Sequence, residues 1–221
     1  MKDSFRLGED GIYRCDVFQE FIWQSHGFGT RLGNPRADVT LRQIHSDHVL
    51  NAHGLADRAC QGDGLATTAV LSTIGVRTAD CVPILLLDIR RRAVAAVHAG
   101  WRGTAGGIAQ RAVASMSDWF ETDPADVYAA IGPCIRECCY EVGMEVASEF
   151  AELFSEWPTV TGKRHLNLAE ANRRQLQASG IPPGQISDSG LCTFCLPEHF
   201  FSFRREPSNA GRMLSAICRL A

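Results

Sequence analysis

Three side chains of types that hold borderline metal ions stand at the ends of short apolar runs. They are His45 in Gln43-Ile44-His45, Cys81 in Thr78-Ala79-Asp80-Cys81, and His98 in Val97-His98-Ala99-Gly100-Trp101-Arg102-Gly103. Two imidazoles and one thiolate make a competent three-ligand set for Zn²⁺ with a fourth tetrahedral position left to water, and copper is the second candidate for such a set. Zinc in a site of this kind brings the pKa of water down to about 7, which supplies hydroxide at neutral pH. Cys81 and His98 also admit a metal-free reading, with His98 as the base for a Cys81 nucleophile.

The elements that must position these groups are legible around them. Val82–Leu87 and Ala93–Val97 are continuous apolar runs of buried-strand length, separated by the charged turn Asp88–Arg92. Paired as a hairpin, they bring Cys81 beside His98 at one end of a sheet. Val39–Ile44 reads as a short strand ending at His45, and His48 and His53 follow in a polar loop. Asp63, between Gly62 and Gly64, is either a turn former or a carboxylate aimed into the site. After His98 the chain runs through a glycine-rich turn to Gly107 and then shows a helical pattern from Ile108 to about Phe120. Strand, glycine turn and helix suit an anion, so Arg102 is a candidate for holding phosphate and Trp101 for packing on a flat ring. No Lys-Ser/Thr follows the glycines, which excludes a Walker loop. Arg31, after the turn Ser25–Thr30, is a second candidate anion contact.

Elsewhere, Tyr13–Trp23 has apolar positions suited to a first strand, and the Thr and Val content of Gly64–Ile74 favours a strand. Val127–Ile131 reads as a buried strand. A helix over Val142–Trp157 has an apolar face, and Asn167 with Glu170 predicts a capped helix ending near Gly180. Ile186–Phe194, His199–Phe203 and Met213–Leu220 are strand candidates. Cys192 and Cys195, with Cys134 and Cys138, offer a four-thiolate structural metal site, against the plainer reading of buried cysteines as small apolar residues.

The 221 residues, 45% of them hydrophobic, suffice for one core, and no linker or repeat interrupts them, so a single domain over residues 1–221 is expected. A net charge of −3 without a basic stripe argues against nucleic acid or an anionic membrane as partner. The amino-terminal stretch has no signal-type apolar segment, and no run approaches the roughly 20 residues of a membrane span; a cytoplasmic protein is expected. Nine cysteines, an odd number, fit reduced thiols better than a disulfide framework.

The segments QIHSDHV, TADCVPILLLD, VHAGWRGTAGGI, IGPCIRECCYEVG and CTFCLPEHFFSFRRE resemble the laccase-domain family, also called the polyphenol oxidase or purine nucleoside phosphorylase-like family. The resemblance runs from about Ser25 to the carboxyl terminus. It implies a mixed α/β fold, an α-β-β-α sandwich, and one zinc ion held by His45, Cys81 and His98. It also implies action on purine nucleosides: phosphorolysis of adenosine, inosine and methylthioadenosine to base and ribose 1-phosphate, and deamination of adenosine. The substrates would then be a small nucleoside and phosphate, with Arg31, Arg102 and Asp63 as candidate substrate contacts. Copper-dependent phenol oxidation and hydrolysis of an amide in a peptidoglycan precursor are the other activities it implies, and a metal-stabilised interaction module is the non-catalytic reading. The segment between Thr30-Arg31 and the strand at Val39 is shorter than in the family, and Cys134 stands where Ser is common.

Overall fold

The computed structural model describes residues 5–155 and 164–221. Phe5–Leu7 (β1), Tyr13–Cys15 (β2), the short helix Asp16–Gln19 (α1) and Gln24–Phe28 (β3) open the chain. Val49–Asn51 (β4), Gly64–Thr67 (β5), Thr73–Thr78 (β6), Val82–Asp88 (β7) and Val94–Ala99 (β8) follow, then helices Trp101–Ala105 (α2) and Ile108–Phe120 (α3). Next come Val127–Ile131 (β9), Glu141–Val142 (β10), Met144–Ala147 (α4), Arg164–His165 (β11), Leu168–Ala178 (α5), Ile186–Asp188 (β12) and Met213–Arg219 (β13).

Two sheets pack face to face. The larger is mixed, in the order β12-β9-β7-β8-β5-β4, and the smaller is antiparallel, in the order β1-β2-β3-β13-β6. Strands β7 and β8 lie inside the larger sheet with every residue buried, which is why they read as unbroken apolar runs rather than alternating ones. Their pleat still sorts side chains by face. Ile84, Leu86, Ala95 and Val97 pack towards α3 and α5, meeting Ile108, Ala112, Met116 and Leu176. Leu85, Leu87, Val94 and Ala96 face the smaller sheet and meet Ile74, Val76 and Ile217. The mixed-sheet α/β sandwich expected from the sequence is thus observed. The hairpin register sets Pro83 opposite His98 and Val82 opposite Ala99, so Cys81 emerges beside the end of β8.

Helix α3, strand β9 and the cap of α5 lie where the sequence places them. The Asn167 side chain accepts a hydrogen bond from the Glu170 N–H at 3.0 Å, and the chain leaves α5 through Gly180 at φ 98°. Other segments differ. Tyr13–Trp23 is a strand followed by a helical turn. Val39–Ile44 forms no ladder: Thr40 donates its N–H and its hydroxyl to the Asp57 carboxylate, and only isolated bridges join Val39 to Ile74 and Arg42 to Gln61. Gly64–Ile74 supplies two strands rather than one, because the chain crosses from the larger sheet to the smaller, with Leu71 at φ 58° in the connection. Along Val142–Trp157, Val142 belongs to a strand and α4 passes into a 3₁₀ turn at Ser148–Phe150; Val146, Phe150 and Phe154 are buried as expected, and Trp157 lies outside the described residues. Strand β12 stops at Asp188, before Gly190 at φ 67°, and His199–Phe203 runs as turns in which the His199 N–H donates to the Leu196 carbonyl.

A candidate metal centre at the end of the hairpin

Asp63 is the side chain from which the site is built. It is fully buried, and five donors converge on its two oxygens. The His45 N–H (3.0 Å) and the His98 Nδ1–H (2.8 Å) reach Oδ1, while the Ser46 N–H (2.7 Å), the Ser46 hydroxyl (2.7 Å) and the more distant Ile44 N–H (3.3 Å) reach Oδ2. Burial alone would raise this carboxyl, yet the hydrogen bonds from His98 and Ser46 outweigh it and bring the pKa to about 2. An ionised carboxylate can only accept, so a His98 proton is held on Nδ1, and Nε2 is the nitrogen left to bind a metal. The same residue turns the loop that carries His45, which adopts φ 59°, a conformation uncommon outside glycine.

A second buried carboxylate does the equivalent for Cys81. Asp80, at φ 88°, accepts from the Thr193 hydroxyl (2.7 Å), the Ser202 hydroxyl (3.0 Å) and the Arg204 N–H (2.7 Å), and its carbonyl accepts from the Ile135 N–H (2.9 Å). Three distant segments are thereby tied to the residue before the thiol. Gly100 completes the enclosure: a Cβ there would lie 2.8 Å from His45 Nδ1 and 3.2 Å from Cys81 Sγ.

The result is that ligand atoms of His45, Cys81 and His98 lie within 4.8 Å of one another, with the two rings 4.8 Å apart at 65°. Burial raises the Cys81 thiol, but the His98 charge and hydrogen bonds from both histidines bring it down to about 6. Burial lowers His98, yet Cys81 and Asp63 together raise it to about 9. The two shifts describe one thiolate–imidazolium pair. A divalent cation in the same place would satisfy the thiolate and take the lone pair of a neutral imidazole. The donor set, the fixed tautomer and the 4.8 Å compactness all fit a zinc-type ion.

The group forms the floor of a cavity of about 750 Å³. Trp101, Ile135, Tyr140 and Phe203 supply apolar wall, and Arg58, Arg77, Arg102, Arg204 and Arg212 surround it. None of these five guanidinium groups makes an ion pair with a carboxylate among the described residues; Arg102 stacks on the Trp101 ring at 4.3 Å and Arg204 lies 5.2 Å from the centre of the Tyr140 ring. Burial and the nearby Cys81 push the Tyr140 phenol up to about 12, so it is a hydrogen-bond donor at neutral pH.

Of the residues singled out from the sequence, Arg102 lines this cavity. Asp63 does not; it lies behind the histidines as their anchor. Arg31 is also elsewhere: its guanidinium pairs with Glu206 (2.8 and 2.9 Å), donates to the Phe200 carbonyl (3.1 Å) and covers Phe201. The expected turn-to-helix anion geometry is interrupted as well, since α2 spans five residues and Gly107 at φ 78° separates it from α3. Asp80, Tyr140 and the arginines other than Arg102 were not foreseen; the TADC motif, in which an acid precedes the thiol, was the available sign for Asp80.

Fold and site together define a class: a mixed-sheet α/β sandwich with a His₂Cys donor set at the floor of an arginine-rimmed cavity. The chain belongs to the multi-copper polyphenol oxidoreductase laccase family, whose model matches residues 24–220. Over 161 residues it is 41% identical to a purine nucleoside phosphorylase of Bacteroides thetaiotaomicron, an alignment covering 70% of this chain and 60% of that protein. It is 42% identical over 163 residues to adenosine deaminase RL5 of an unknown prokaryotic organism, covering 71% and 62%. These alignments therefore span about three-fifths of the length of either relative. Among solved structures, YlmD from Geobacillus stearothermophilus superposes with a TM-score of 0.88 at 31% identity, covering 99% of this chain and 100% of the other. No helix among the described residues is long and apolar enough to cross a membrane.

Proposed function

We propose that this chain is a zinc-dependent purine nucleoside phosphorylase that also deaminates adenosine. The observation that carries the reading is the convergence of His45, Cys81 and His98 under a cavity with five guanidinium groups and apolar walls. Relatives named for phosphorolysis and for adenosine deamination support both activities. A volume of about 750 Å³ suits a nucleoside with phosphate beside it.

His45, Cys81 and His98 would hold the ion. When bound, it supplies Lewis-acid chemistry and brings the ionisation of water at its open position towards neutral pH. The remaining work falls to the chain. Asp63 keeps the proton of His98 on Nδ1 and the ring in place. Trp101 and Phe203 exclude water around the base, and the protonated Tyr140 hydroxyl is available to donate to a purine or ribose heteroatom. In deamination, adenosine and water give inosine and ammonia, so the cavity must stabilise charge developing around C6 of the purine. In phosphorolysis, nucleoside and phosphate give free base and ribose 1-phosphate. A phosphate anion must then meet a sugar carrying positive charge, and Arg102 with Arg58 and Arg77 provides the cationic cradle.

The family description points to a second reading, copper-dependent oxidation of phenols. A centre of several copper ions draws on many imidazoles, whereas two of the seven histidines share this site. One experiment separates the readings: purified protein is analysed for metal and incubated with adenosine and phosphate. Zinc, with inosine or with adenine plus ribose 1-phosphate formed by the wild type and not by His98→Ala, supports the proposal. Copper without zinc, or the absence of all these products, overturns it.

A further inference from the structure

A second set of metal-capable side chains lies outside the cavity, four thiols the proposed chemistry does not use. Cys138 and Cys139 follow β9, and Cys192 and Cys195 follow β12. Their four sulfur atoms all lie within 4.8 Å of one another, with Cys138–Cys192 at 3.7 Å, Cys138–Cys195 at 3.7 Å and Cys139–Cys195 at 3.3 Å. Zinc–sulfur bonds of about 2.3 Å arranged tetrahedrally put sulfurs about 3.8 Å apart, so the cluster is already close to the size of one four-coordinate ion. A disulfide needs a separation of about 2 Å. The partner expected from the sequence, Cys134, is fully buried and stands outside the group; Cys139 takes that place.

The group is open to solvent on one side, unlike cysteines packed as small apolar residues in a core. Cys138 and Cys195 are exposed, which gives an ion a path in, while Cys192 is buried beneath them and its sulfur lies 3.7 Å from that of Cys138.

We propose that Cys138, Cys139, Cys192 and Cys195 bind a second zinc ion, a structural one coordinated by four thiolates. All four positions are then filled by protein, so this ion has no place for water or substrate. Its effect is to fasten the loop carrying Ile135 and Tyr140 to the loop leading to Phe203 and Arg204, two walls of the same cavity. Both loops already meet at Asp80, through the Ile135 N–H and the Thr193 hydroxyl. Four thiols lose their protons as the ion enters, and no electron transfer is involved.

The test counts metals and thiols, independently of turnover. Protein purified anaerobically under reducing conditions is analysed for zinc as wild type, His98→Ala and Cys138→Ser/Cys195→Ser. Two equivalents in the wild type and one in each variant are expected. Because the cysteine variant can fail through misfolding, metal-free His98→Ala is also titrated with Co²⁺; an intense thiolate-to-cobalt charge-transfer band saturating at one equivalent is expected. One equivalent or less in the wild type with no such band in His98→Ala overturns the proposal, as does isolation of a Cys139–Cys195 disulfide from protein never exposed to air. Failure of the nucleoside chemistry would leave these counts unchanged.

Discussion

Replacing Asp63 by Asn tests whether one buried carboxylate organises the metal centre. The substitution hardly changes volume, so its cost is one of hydrogen bonding. Five donors face the two carboxylate oxygens, two on Oδ1 and three on Oδ2. An amide keeps one acceptor and turns a donor towards the other group. If its NH₂ faces the Oδ2 side, the Ser46 hydroxyl can rotate to accept, but the Ile44 and Ser46 N–H groups lose their partner. If it faces the Oδ1 side, the His45 N–H is orphaned and His98 must move its proton to Nε2, the nitrogen needed for the ion. Each buried donor left unpaired costs about 1–3 kcal/mol. A loss of roughly 1–6 kcal/mol in metal-free stability follows, from one orphaned donor in the second orientation to two in the first, and affinity for zinc should fall by about 10- to 100-fold, the usual cost of losing an outer-shell partner. Urea unfolding of the metal-free proteins measures the first and competition with a calibrated chelator the second. A variant within about 0.5 kcal/mol of wild type that retains its zinc affinity would refute the reasoning.

Other outcomes follow from the same geometry. Gly100→Ala places a methyl group 2.8 Å from His45 Nδ1, so zinc affinity and turnover should fall together while far-ultraviolet dichroism is unchanged; normal metal affinity would count against the packing argument. Arg102→Ala should raise KM for phosphate about tenfold, the worth of one charge-assisted hydrogen bond, and alter phosphate-independent deamination much less; equal effects on both would remove Arg102 from the anion site. Burial and the charge of Arg14 bring His26 down to about 4, and its Nε2 accepts from the Cys15 N–H. Because the unfolded chain binds this proton first, stability contributed by the neutral ring is lost as pH falls from about 6.5 to about 4, by about 3 kcal/mol in all. His26→Gln should flatten that part of the profile of urea midpoint against pH, and an unchanged slope would reject the assignment.

How far the sequence discloses the site depends on range. The β7–β8 hairpin is local, and unbroken apolar runs on both sides of Asp88–Arg92 define it, so the proximity of Cys81 and His98 is legible from pattern alone. Capping at Asn167 is likewise a matter of neighbours. His45 arrives differently: no ladder carries it, and its place depends on hydrogen bonds to Asp63, which pattern cannot distinguish from a turn former. Arg31 and Arg102 show the same limit from the other side. Each belongs to a glycine-rich stretch, but Glu206 and Phe200, far along the chain, claim Arg31, while Arg102 keeps its head at the cavity. The two-strand division of Gly64–Ile74 was hidden because both halves are β-prone; what separates them is the passage from one sheet to the other.

Reconstitution of turnover tests the central claim most directly. Wild-type protein is stripped of metal, shown by unfolding to remain folded, and titrated with zinc while inosine formation from adenosine is followed; His98→Ala is treated in parallel. Loss of turnover on stripping, recovery with zinc, and no recovery in His98→Ala are the results predicted. Full turnover by the stripped protein, or recovery by His98→Ala equal to that of the wild type, would contradict the account.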